Sequence, residues 1–410
     1  MSRIHDRDPL YNFLRPYICR SFKRAYRKIE FRGDFPRDGA VIFAPNHANA
    51  LMDALAVLTL SAGPTVFVAR ADIFKKRPTR DILTFLKILP INRIRDGVDS
   101  LKENDAITQK CIDCLRDKVP FCILPEGTHR TQHSLLPLRK GIARIAFGTY
   151  EQVKDEMPVY IVPVGLEYED FYRYRSTLLV NTGKPIVLQD FMREHSDLDQ
   201  QQQMRQLLLL LEERMKETIV YIPSGKDYAA RWEMANMELS KERPRKLFRR
   251  LERLREETGK DLSPRQKKRA MRWRKWRVRR GISLQSLVYR RSVWRVIGNI
   301  LLLILGLPLF IASAVLILPG LATVAAFRRK LRDPAFRNSL RFVAYTIINP
   351  PVLFLICLGL AFVLPWWACL AAFVLGFFAT IPFYGWLNGV SDTVSDIRLL
   401  SSPPKEEQLS

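Results

Sequence analysis

The sequence predicts an α/β domain with a mixed central sheet flanked by helices, followed by C-terminal transmembrane or re-entrant helices. Between residues 31 and 190, short apolar runs alternate with longer segments of helical periodicity, which is typical of a sheet covered by helices. Beyond residue 295 the chain has two uncharged stretches, Val296–Phe327 with 32 residues and Phe342–Ser391 with 50. A bilayer core about 30 Å thick needs about 20 apolar residues as a helix, so both stretches are long enough to enter it.

Changes in composition divide the 410-residue chain into five segments. These are an amphipathic N-terminal helix region (1–30), the α/β domain (31–225), a basic helical juxtamembrane segment (226–295), membrane-embedded hairpins (296–391) and a polar tail (392–410). The formal net charge is +25, from 66 Lys and Arg against 41 Asp and Glu. Six cysteines in a chain of this length exclude a disulfide scaffold and suit a reducing compartment.

The predicted strands of the α/β domain are apolar runs bounded by turn residues. In chain order they are Ala40–Ala44, Thr65–Ala69, Leu89–Asn92, Pro120–Leu124, Val159–Tyr168 and Thr177–Thr182. Helical spacing of apolar residues predicts helices at Leu51–Leu60, Asp81–Leu89, Ser100–Lys118 and Lys140–Phe147, and one long closing helix over 191–222. The N-terminal region, 1–30, is expected either to pack on the domain as a helix or to lie on an anionic bilayer surface.

The basic segment has three interpretations. Residues 241–291 hold 21 Lys and Arg against 5 Asp and Glu, interleaved with Leu, Phe and Trp. Such a pattern suits a solvated helix pair, a nucleic-acid surface with stacking aromatics, or a polybasic segment held at anionic lipid. Because the first uncharged stretch begins five residues after Arg291, we favour the lipid interpretation and expect no nucleic-acid partner.

Charge bias also predicts the topology of the uncharged stretches. The segment before Val296 and the connector 328–341 are both basic, so both are expected to be cytoplasmic. A 32-residue helix would be about 48 Å long, too long for one pass and too short for two, so we predict a re-entrant or shallow hairpin broken at Pro308 and Pro319. The second stretch predicts a two-pass hairpin turning near Pro365. The protein is therefore expected to be integral to a membrane, with the α/β domain facing the cytoplasm.

Three stretches carry candidate chemistry. The first places Asn46 and His47 at a strand-to-helix turn with Asp53 in the following helix. A histidine acts as a general base near neutral pH, and a carboxylate on its other nitrogen fixes the tautomer. The same pair could instead be an ordinary surface pair. Five residues separate His47 from Asp53, which puts them far apart on one continuous helix. We therefore expect His47 on the turn, with Asn49 as the helix N-cap.

The second stretch is Leu-Pro-Glu-Gly-Thr-His-Arg at 124–130, and the third is Pro-Ile-Asn-Arg at 90–93. Gly127 permits close backbone approach, while Thr128 and Arg130 donate hydrogen bonds, as in an oxyanion or phosphate cradle. Arg93, just past a strand, could clamp a phosphate with two parallel hydrogen bonds. A plain turn and a solvated arginine remain the alternatives.

Taken in this order, the three stretches resemble the membrane-associated glycerolipid acyltransferase family, which includes glycerol-3-phosphate and 1-acyl-glycerol-3-phosphate acyltransferases. The family pattern is Asn-His-x4-Asp, an Arg-containing block, a Pro-Glu-Gly-Thr block and a Val-Pro-Val strand. Here these blocks stand at Asn46-His47 with Asp53, at Arg93, at 124–128 and at 161–165. With a membrane hairpin after the domain, the chain resembles the fungal-type glycerol-3-phosphate acyltransferases and their bacterial relatives.

The resemblance implies that His47 deprotonates the acceptor hydroxyl while Asp53 orients it. It implies a substrate-binding set formed by Asn46, Arg93, Glu126, Gly127, Thr128, Arg130 and Lys140. His129 stands where the family often has Arg, which leaves Arg130, Arg139 or Lys140 as the phosphate ligand. No metal or cofactor is expected; acyl-CoA or acyl carrier protein is the expected co-substrate.

The implied activity is transfer of a fatty acyl group from a thioester to glycerol 3-phosphate or 1-acyl-glycerol 3-phosphate in phospholipid synthesis. The expected partners are the bilayer, the acyl-thioester donor and the phosphorylated glycerol acceptor. The alternatives are another lyso-lipid or amino-lipid acceptor, or a non-enzymatic basic membrane-anchored binding protein. Cys111 and Cys114 have metal-site spacing but are expected in the core, and His133 and His195 are expected to have no specific role.

Overall fold

The computed structural model describes residues 3–6, 8–92, 99–154, 156–242, 247–289 and 292–403. The chain forms two compact units. The sheet unit comprises Met1–Phe171 and Ser176–Ile219, and the helical unit comprises Tyr172–Arg175 and Val220–Ser410. The chain therefore leaves the sheet unit at Tyr172 and returns to it at Ser176.

One mixed sheet organises the first unit. Its strands in chain order are β1 (Lys28–Arg32), β2 (Ala40–Pro45), β3 (Val66–Arg70), β4 (Ile88–Ile91), β5 (Phe121–Cys122), β6 (Val159–Tyr168), β7 (Thr177–Thr182) and β8 (Ile186–Val187). The spatial order is β1-β7-β6-β2-β5-β3-β4, with β8 beside β6. Strands β6, β2, β5, β3 and β4 run parallel, so their carboxyl ends meet at one edge. Strand β6 is antiparallel to β7 and β8. The predicted α/β class with a mixed sheet is confirmed.

The helices of this unit precede, connect and follow the strands along the chain. They are α1 (Pro9–Ala25), α2 (Leu51–Leu58), α3 (Arg77–Phe85), α4 (Asp99–Arg116), α5 (Gly141–Val153), α6 (Leu188–Glu194) and α7 (Gln200–Thr218), with a 3₁₀ turn at Ala71–Phe74. All six residues of β2 are buried, as expected for a central parallel strand covered on both faces. The observed β6 and β7 have the predicted bounds.

The N-terminal region and the closing helix differ from the prediction. Residues 1–30 were expected to be one helical region, but α1 ends at Ala25 and Lys28 begins the edge strand β1. Residues Lys28–Arg32 form a strand because they pair with β7, which is distant in the sequence, and the local residue pattern does not indicate that pairing. The single helix expected over 191–222 is two helices. His195 ends α6, and Asp199 begins α7 with a capping box to Gln202.

The helical unit contains the rest of the described chain. Its helices are α8 (Tyr228–Glu242), α9 (Leu247–Gly259), α10 (Pro264–Arg279), α11 (Leu284–Tyr289), α12 (Val293–Leu316), α13 (Leu318–Arg328), α14 (Phe336–Val343), α15 (Asn349–Leu360), α16 (Trp366–Gly376) and α17 (Thr380–Ser401). A π-helical turn, Ala344–Ile348, makes α14 and α15 one continuous helix.

Within the described residues, two helices are long and apolar enough to cross a membrane: Val293–Leu316 and the continuous helix Phe336–Leu360. Helices α16 and α17 together form a third candidate, bent by 54° between them. Large apolar side chains such as Leu305 and Phe362 are exposed here, and burying them requires a lipid or protein environment. Pro308 lies within α12 without ending it, and the break comes at Ile317, so the predicted break at Pro308 was wrong.

Candidate active site

His47 and Asp53 meet at the carboxyl edge of the sheet. His47 follows β2 by two residues, and Asp53 lies in the first turn of α2. The His47 Nδ1 atom lies 2.8 Å from Oδ2 of Asp53. The carboxylate is completely buried, whereas the imidazole keeps 16 % of its surface exposed. The structure therefore brings the predicted pair together, with one edge of the imidazole open to solvent.

Backbone amides explain how the five intervening residues are accommodated. Oδ2 of Asp53 also accepts hydrogen bonds from the amides of Ala48 at 2.9 Å and Asn49 at 2.7 Å. The predicted N-cap was wrong: Ala50 occupies that position with φ of 48° and makes no side-chain cap. The Asn49 side chain instead donates to the carbonyl of Phe171. The turn thus folds back over Asp53, whose carboxylate satisfies two backbone amides that precede the helix.

Tyr168 completes the environment of Asp53 and was missed by the sequence analysis. Its hydroxyl donates to Oδ1 of Asp53 at 2.6 Å. Burial raises the pKa of Tyr168 well above its usual value, so the phenol remains a hydrogen-bond donor. Tyr168 ends β6, which pairs in parallel with β2, so both strands deliver their last residues to the same edge. The sequence alone does not indicate that pairing.

Two predicted substrate ligands are bonded to backbone. The Asn46 side chain accepts from the Leu166 amide at 2.7 Å and donates to the Leu166 carbonyl, which ties the end of β2 to β6. Glu126 accepts from the amides of His47 at 2.7 Å and Leu136 at 2.8 Å, one on each oxygen. Burial raises the pKa of Glu126 to about 7. These bonds position His47, and substrate binding by Asn46 or Glu126 stays a prediction.

Gly127, Thr128 and Arg130 lie on a loop beside His47. Gly127 and Thr128 are exposed, and Gly127 has φ of +69°, which favours glycine. The His129 ring lies edge-on to His47, with centroids 5.3 Å apart. The Arg130 amide donates to the His47 carbonyl, while its guanidinium donates to Ser134 Oγ at 2.8 Å and to the Leu135 carbonyl.

Two basic residues lie at the start of α5. Lys140 and its neighbour Arg139 are exposed, and Arg139 passes close to Gly127: a Cβ there would lie 3.3 Å from Arg139 Cγ. The amide of Arg139 donates to the carbonyl of Pro125. Arg93 lies outside the described residues, although the preceding strand β4 ends at this same edge of the sheet.

Two further expectations have different outcomes. His133 is buried, and its Nδ1 atom lies 3.3 Å from Oε2 of Glu167, so it has a structural contact; that it has no specific role in the chemistry stays a prediction. The polar residues around His133 in the sequence do not indicate its pairing with the distant Glu167. Cys111 and Cys114 are fully buried, as expected, and burial raises the pKa of Cys114 to about 12. Within the described residues, no group of three or more His, Cys, Asp or Glu is placed to hold a metal ion.

Residues 28–167 match the family model described as Acyltransferase. Two yeast proteins, from Saccharomyces cerevisiae, are similar to shorter segments. Glycerol-3-phosphate O-acyltransferase 2 is 35 % identical over 86 residues, which are 21 % of this chain and 11 % of that protein. Glycerol-3-phosphate O-acyltransferase 1 is 39 % identical over 64 residues, which are 16 % of this chain and 8 % of that protein. The matched segments thus span about a tenth of these relatives' length.

A solved structure also matches. It is the 1-acyl-sn-glycerophosphate (LPA) acyltransferase PlsC from Thermotoga maritima, with 18 % sequence identity and a TM-score of 0.36. The match covers 51 % of this chain and 79 % of that chain.

Proposed function

We propose that the protein, whose residues 28–167 match the Acyltransferase family model, transfers a fatty acyl group from an acyl-thioester to the hydroxyl of glycerol 3-phosphate or 1-acyl-glycerol 3-phosphate. The observation that carries this proposal is the His47–Asp53 pair, which is arranged as a general base and its orienting carboxylate. The partial similarity to two glycerol-3-phosphate O-acyltransferases supports the choice of acceptor class.

Asp53 defines which nitrogen of His47 acts as the base. A carboxylate only accepts hydrogen bonds, so the proton of a neutral imidazole sits on Nδ1, the atom 2.8 Å from Asp53. The second nitrogen, Nε2, is then unprotonated and able to take a proton. When His47 becomes an imidazolium, the neighbouring carboxylate stabilises its charge. Asp53 thus has an orienting and an electrostatic role.

The proposed reaction exchanges a carbon–sulfur bond for a carbon–oxygen bond and moves one proton through His47. His47 Nε2 takes the proton of the acceptor hydroxyl as its oxygen attacks the thioester carbonyl carbon. A carbon–oxygen bond forms, the carbon–sulfur bond of the collapsing adduct breaks, and the leaving thiolate receives the proton from His47. Acyl-CoA and acyl carrier protein are both suitable donors, since each presents a thioester. General-base catalysis of this kind typically contributes about 10²–10⁴ in rate.

The loop at 127–128 and the start of α5 are the proposed acceptor-phosphate site. Gly127 exposes backbone beside the catalytic pair, and Arg139 and Lys140 add positive charge at the amino end of a 13-residue helix. A helix N-terminus favours anions through its free amides and its dipole. Arg93 and Arg130 are kept as predicted ligands. The helical unit, with its two or three candidate spans, is proposed to anchor the protein in a membrane with the domain on the cytoplasmic side.

An acyl-transfer assay tests this proposal. Detergent-purified protein is given a labelled acyl-thioester with glycerol 3-phosphate or 1-acyl-glycerol 3-phosphate, and products are separated by chromatography. We expect transfer to one of them and a loss of about 10²–10⁴ in His47→Ala. His195→Ala is the matched control, because among the described residues its imidazole bonds only to the Phe191 carbonyl of its own helix and stacks on the Phe191 ring. Full activity in His47→Ala, or no transfer to either acceptor by folded protein, would contradict the proposal.

A further inference from the structure

Helix α10 has two chemically different faces. Its 16 residues include nine Lys and Arg and no Asp or Glu. The inner face packs Ala270, Trp273 and Trp276 into a core shared with residues of α8, α11 and α17. Arg277, on the same side, pairs with the buried Glu233 of α8. The inner face therefore holds α10 in the helical unit, and the Arg277–Glu233 pair neutralises part of the positive charge of α10.

The outer face carries five exposed basic residues, here called the basic stripe. They are Arg265, Lys268, Arg272, Lys275 and Arg279. At 100° per residue the five positions fall within about 80° of one another, along about 21 Å of helix. In the part of the chain that the structure describes, none of them has a carboxylate within 4.0 Å, whereas Lys267, Arg274 and Arg277 on the same helix do.

The position of the tryptophans decides between two partners. Basic residues interleaved with aromatics suit single-stranded nucleic acid when the aromatic rings are free to stack on bases. Here Trp273 is 1 % and Trp276 6 % exposed, so neither ring is available for stacking. The exposed apolar residues beside the stripe are Met271 and Val278, which suit insertion among lipid headgroups.

The stripe is also joined to an apolar candidate span through well-packed contacts. The turn after α10 bonds to α17: the amide of Ser283 donates to Ser395 Oγ at 2.8 Å. Nearer the amino end of α17, Trp386 donates to the Leu303 carbonyl of α12, and its ring stacks on Phe310. Helix α17 thus connects the basic helix to the long apolar helix α12.

We propose that the basic stripe binds the anionic headgroup surface of a lipid bilayer. Long Lys and Arg side chains reach phosphate groups with their charged ends while their stems cover apolar surface. Charge attraction of this kind weakens when salt shortens the Debye length, which is about 8 Å at physiological ionic strength. The inference does not depend on the acyl-transfer reaction, since it concerns a different surface and is measured without substrate.

The test uses the full protein reconstituted into vesicles. Cys19, the partly exposed cysteine, is replaced by Ser, and Met271→Cys next to the stripe is labelled with a fluorophore; the other five cysteines are buried. Quenching by lipid with a headgroup nitroxide is compared in phosphatidylcholine vesicles and in vesicles with about one third phosphatidylglycerol. We expect strong quenching only with the anionic lipid, and its loss in high salt.

Three variants sharpen the result. Glutamine at all five stripe positions should abolish the quenching, whereas lysine in place of Arg265, Arg272 and Arg279 should retain it. A matched control removes five exposed charges of the sheet unit, at Lys75, Lys76, Arg77, Lys110 and Arg205, and should also retain it. Equal quenching in both vesicle types, or quenching that survives the five glutamines, overturns the proposal. Stripe-dependent binding of an RNA oligonucleotide without a lipid response would replace it with nucleic acid.

Discussion

The hydroxyl of Tyr168 donates to Oδ1 of Asp53 at 2.6 Å, while the opposite oxygen of the same carboxylate faces His47. Asp53 thereby accepts four hydrogen bonds, from one phenol, one imidazole and two backbone amides. A buried carboxylate held on both oxygens cannot rotate, so the direction in which it holds the imidazole is fixed. Tyr168 acts on the reaction through Asp53 and is a positioning residue.

Removing the Tyr168 hydroxyl is expected to slow acyl transfer without weakening substrate binding. In Tyr168→Phe one buried carboxylate oxygen loses its partner, at a cost of about 1–3 kcal/mol. We expect kcat to fall about tenfold while KM for both substrates stays within about twofold, because Tyr168 does not touch substrate in the proposed mechanism. Steady-state kinetics measure both.

Tyr160→Phe is the matched control for this variant. Tyr160 lies on the same strand, and its hydroxyl meets a carboxylate, Asp38, at 3.4 Å on the exposed surface. Its removal should leave kcat unchanged. If Tyr168→Phe raised KM and spared kcat, the hydroxyl would be contacting substrate and the positioning role would be wrong.

The fold could be predicted where apolar runs report burial directly. Strands β6 and β7 coincide with the prediction because their side chains are buried along most of their length. Strand β1 could not be predicted, because its residues are largely exposed at the sheet edge and become a strand only by pairing with β7. Local periodicity also cannot show the break at 195–199, where capping by Asp199 outweighs a continuous helical pattern.

The candidate site could be predicted only in its residue types. The sequence identifies His47, Asp53 and Glu126, but it gives Glu126 to substrate, whereas its oxygens hold backbone amides. Tyr168 was not predicted, because it lies 115 positions from Asp53 in the sequence. Contacts of that range follow from strand order, which one sequence does not reveal.

Glu126 should make the stability of the protein depend on pH. Burial raises its pKa from 4.5 to about 7, so the fold favours the protonated carboxyl. Its contribution to stability is therefore complete below pH 4.5 and is lost as the pH rises through 7. Relative to Glu126→Gln, the free energy of unfolding of the wild-type protein should fall by roughly 3 kcal/mol across this range.

Thermal unfolding of detergent-solubilised protein measures this difference. The apparent Tm of the wild type minus that of Glu126→Gln should decrease steadily from pH 4.5 to pH 8, with most of the change below pH 7. Asp34→Asn, which removes an exposed carboxylate, provides the baseline. A difference that stays constant with pH would show that folding does not raise the pKa of Glu126.

Gly127→Ala should weaken binding of the acceptor. Its φ of +69° costs an alanine about 1 kcal/mol, and the new Cβ would press on Arg139 Cγ at 3.3 Å. Both effects disturb the proposed phosphate loop, so we expect a several-fold rise in KM for the phosphorylated acceptor with little change in KM for the thioester. Gly63→Ala is the control, since a Cβ there meets nothing within 4 Å. An unchanged acceptor KM would remove this loop from the phosphate site.

Arg139 and Arg130 are two of the competing phosphate ligands in the described chain, and their environments predict different kinetics. Arg139 is exposed beside Gly127, whereas the Arg130 guanidinium already donates to Ser134 and to the Leu135 carbonyl. A hydrogen bond to a charged group contributes about 1.5–3 kcal/mol, so Arg139→Gln should raise KM for the acceptor about tenfold or more at unchanged kcat. Arg130→Gln should lower the apparent Tm instead, because it unties the loop beside His47.

Arg144→Gln, an exposed arginine further along α5, provides the matched control and should change neither constant. The decisive comparison uses an acceptor without phosphate. If Arg139 binds phosphate, the variant and the wild type should use glycerol equally poorly, because the lost interaction was never made with that substrate. A rise in acceptor KM confined to Arg130→Gln would assign the phosphate to Arg130, whose bonds to Ser134 and Leu135 would then have to open on binding.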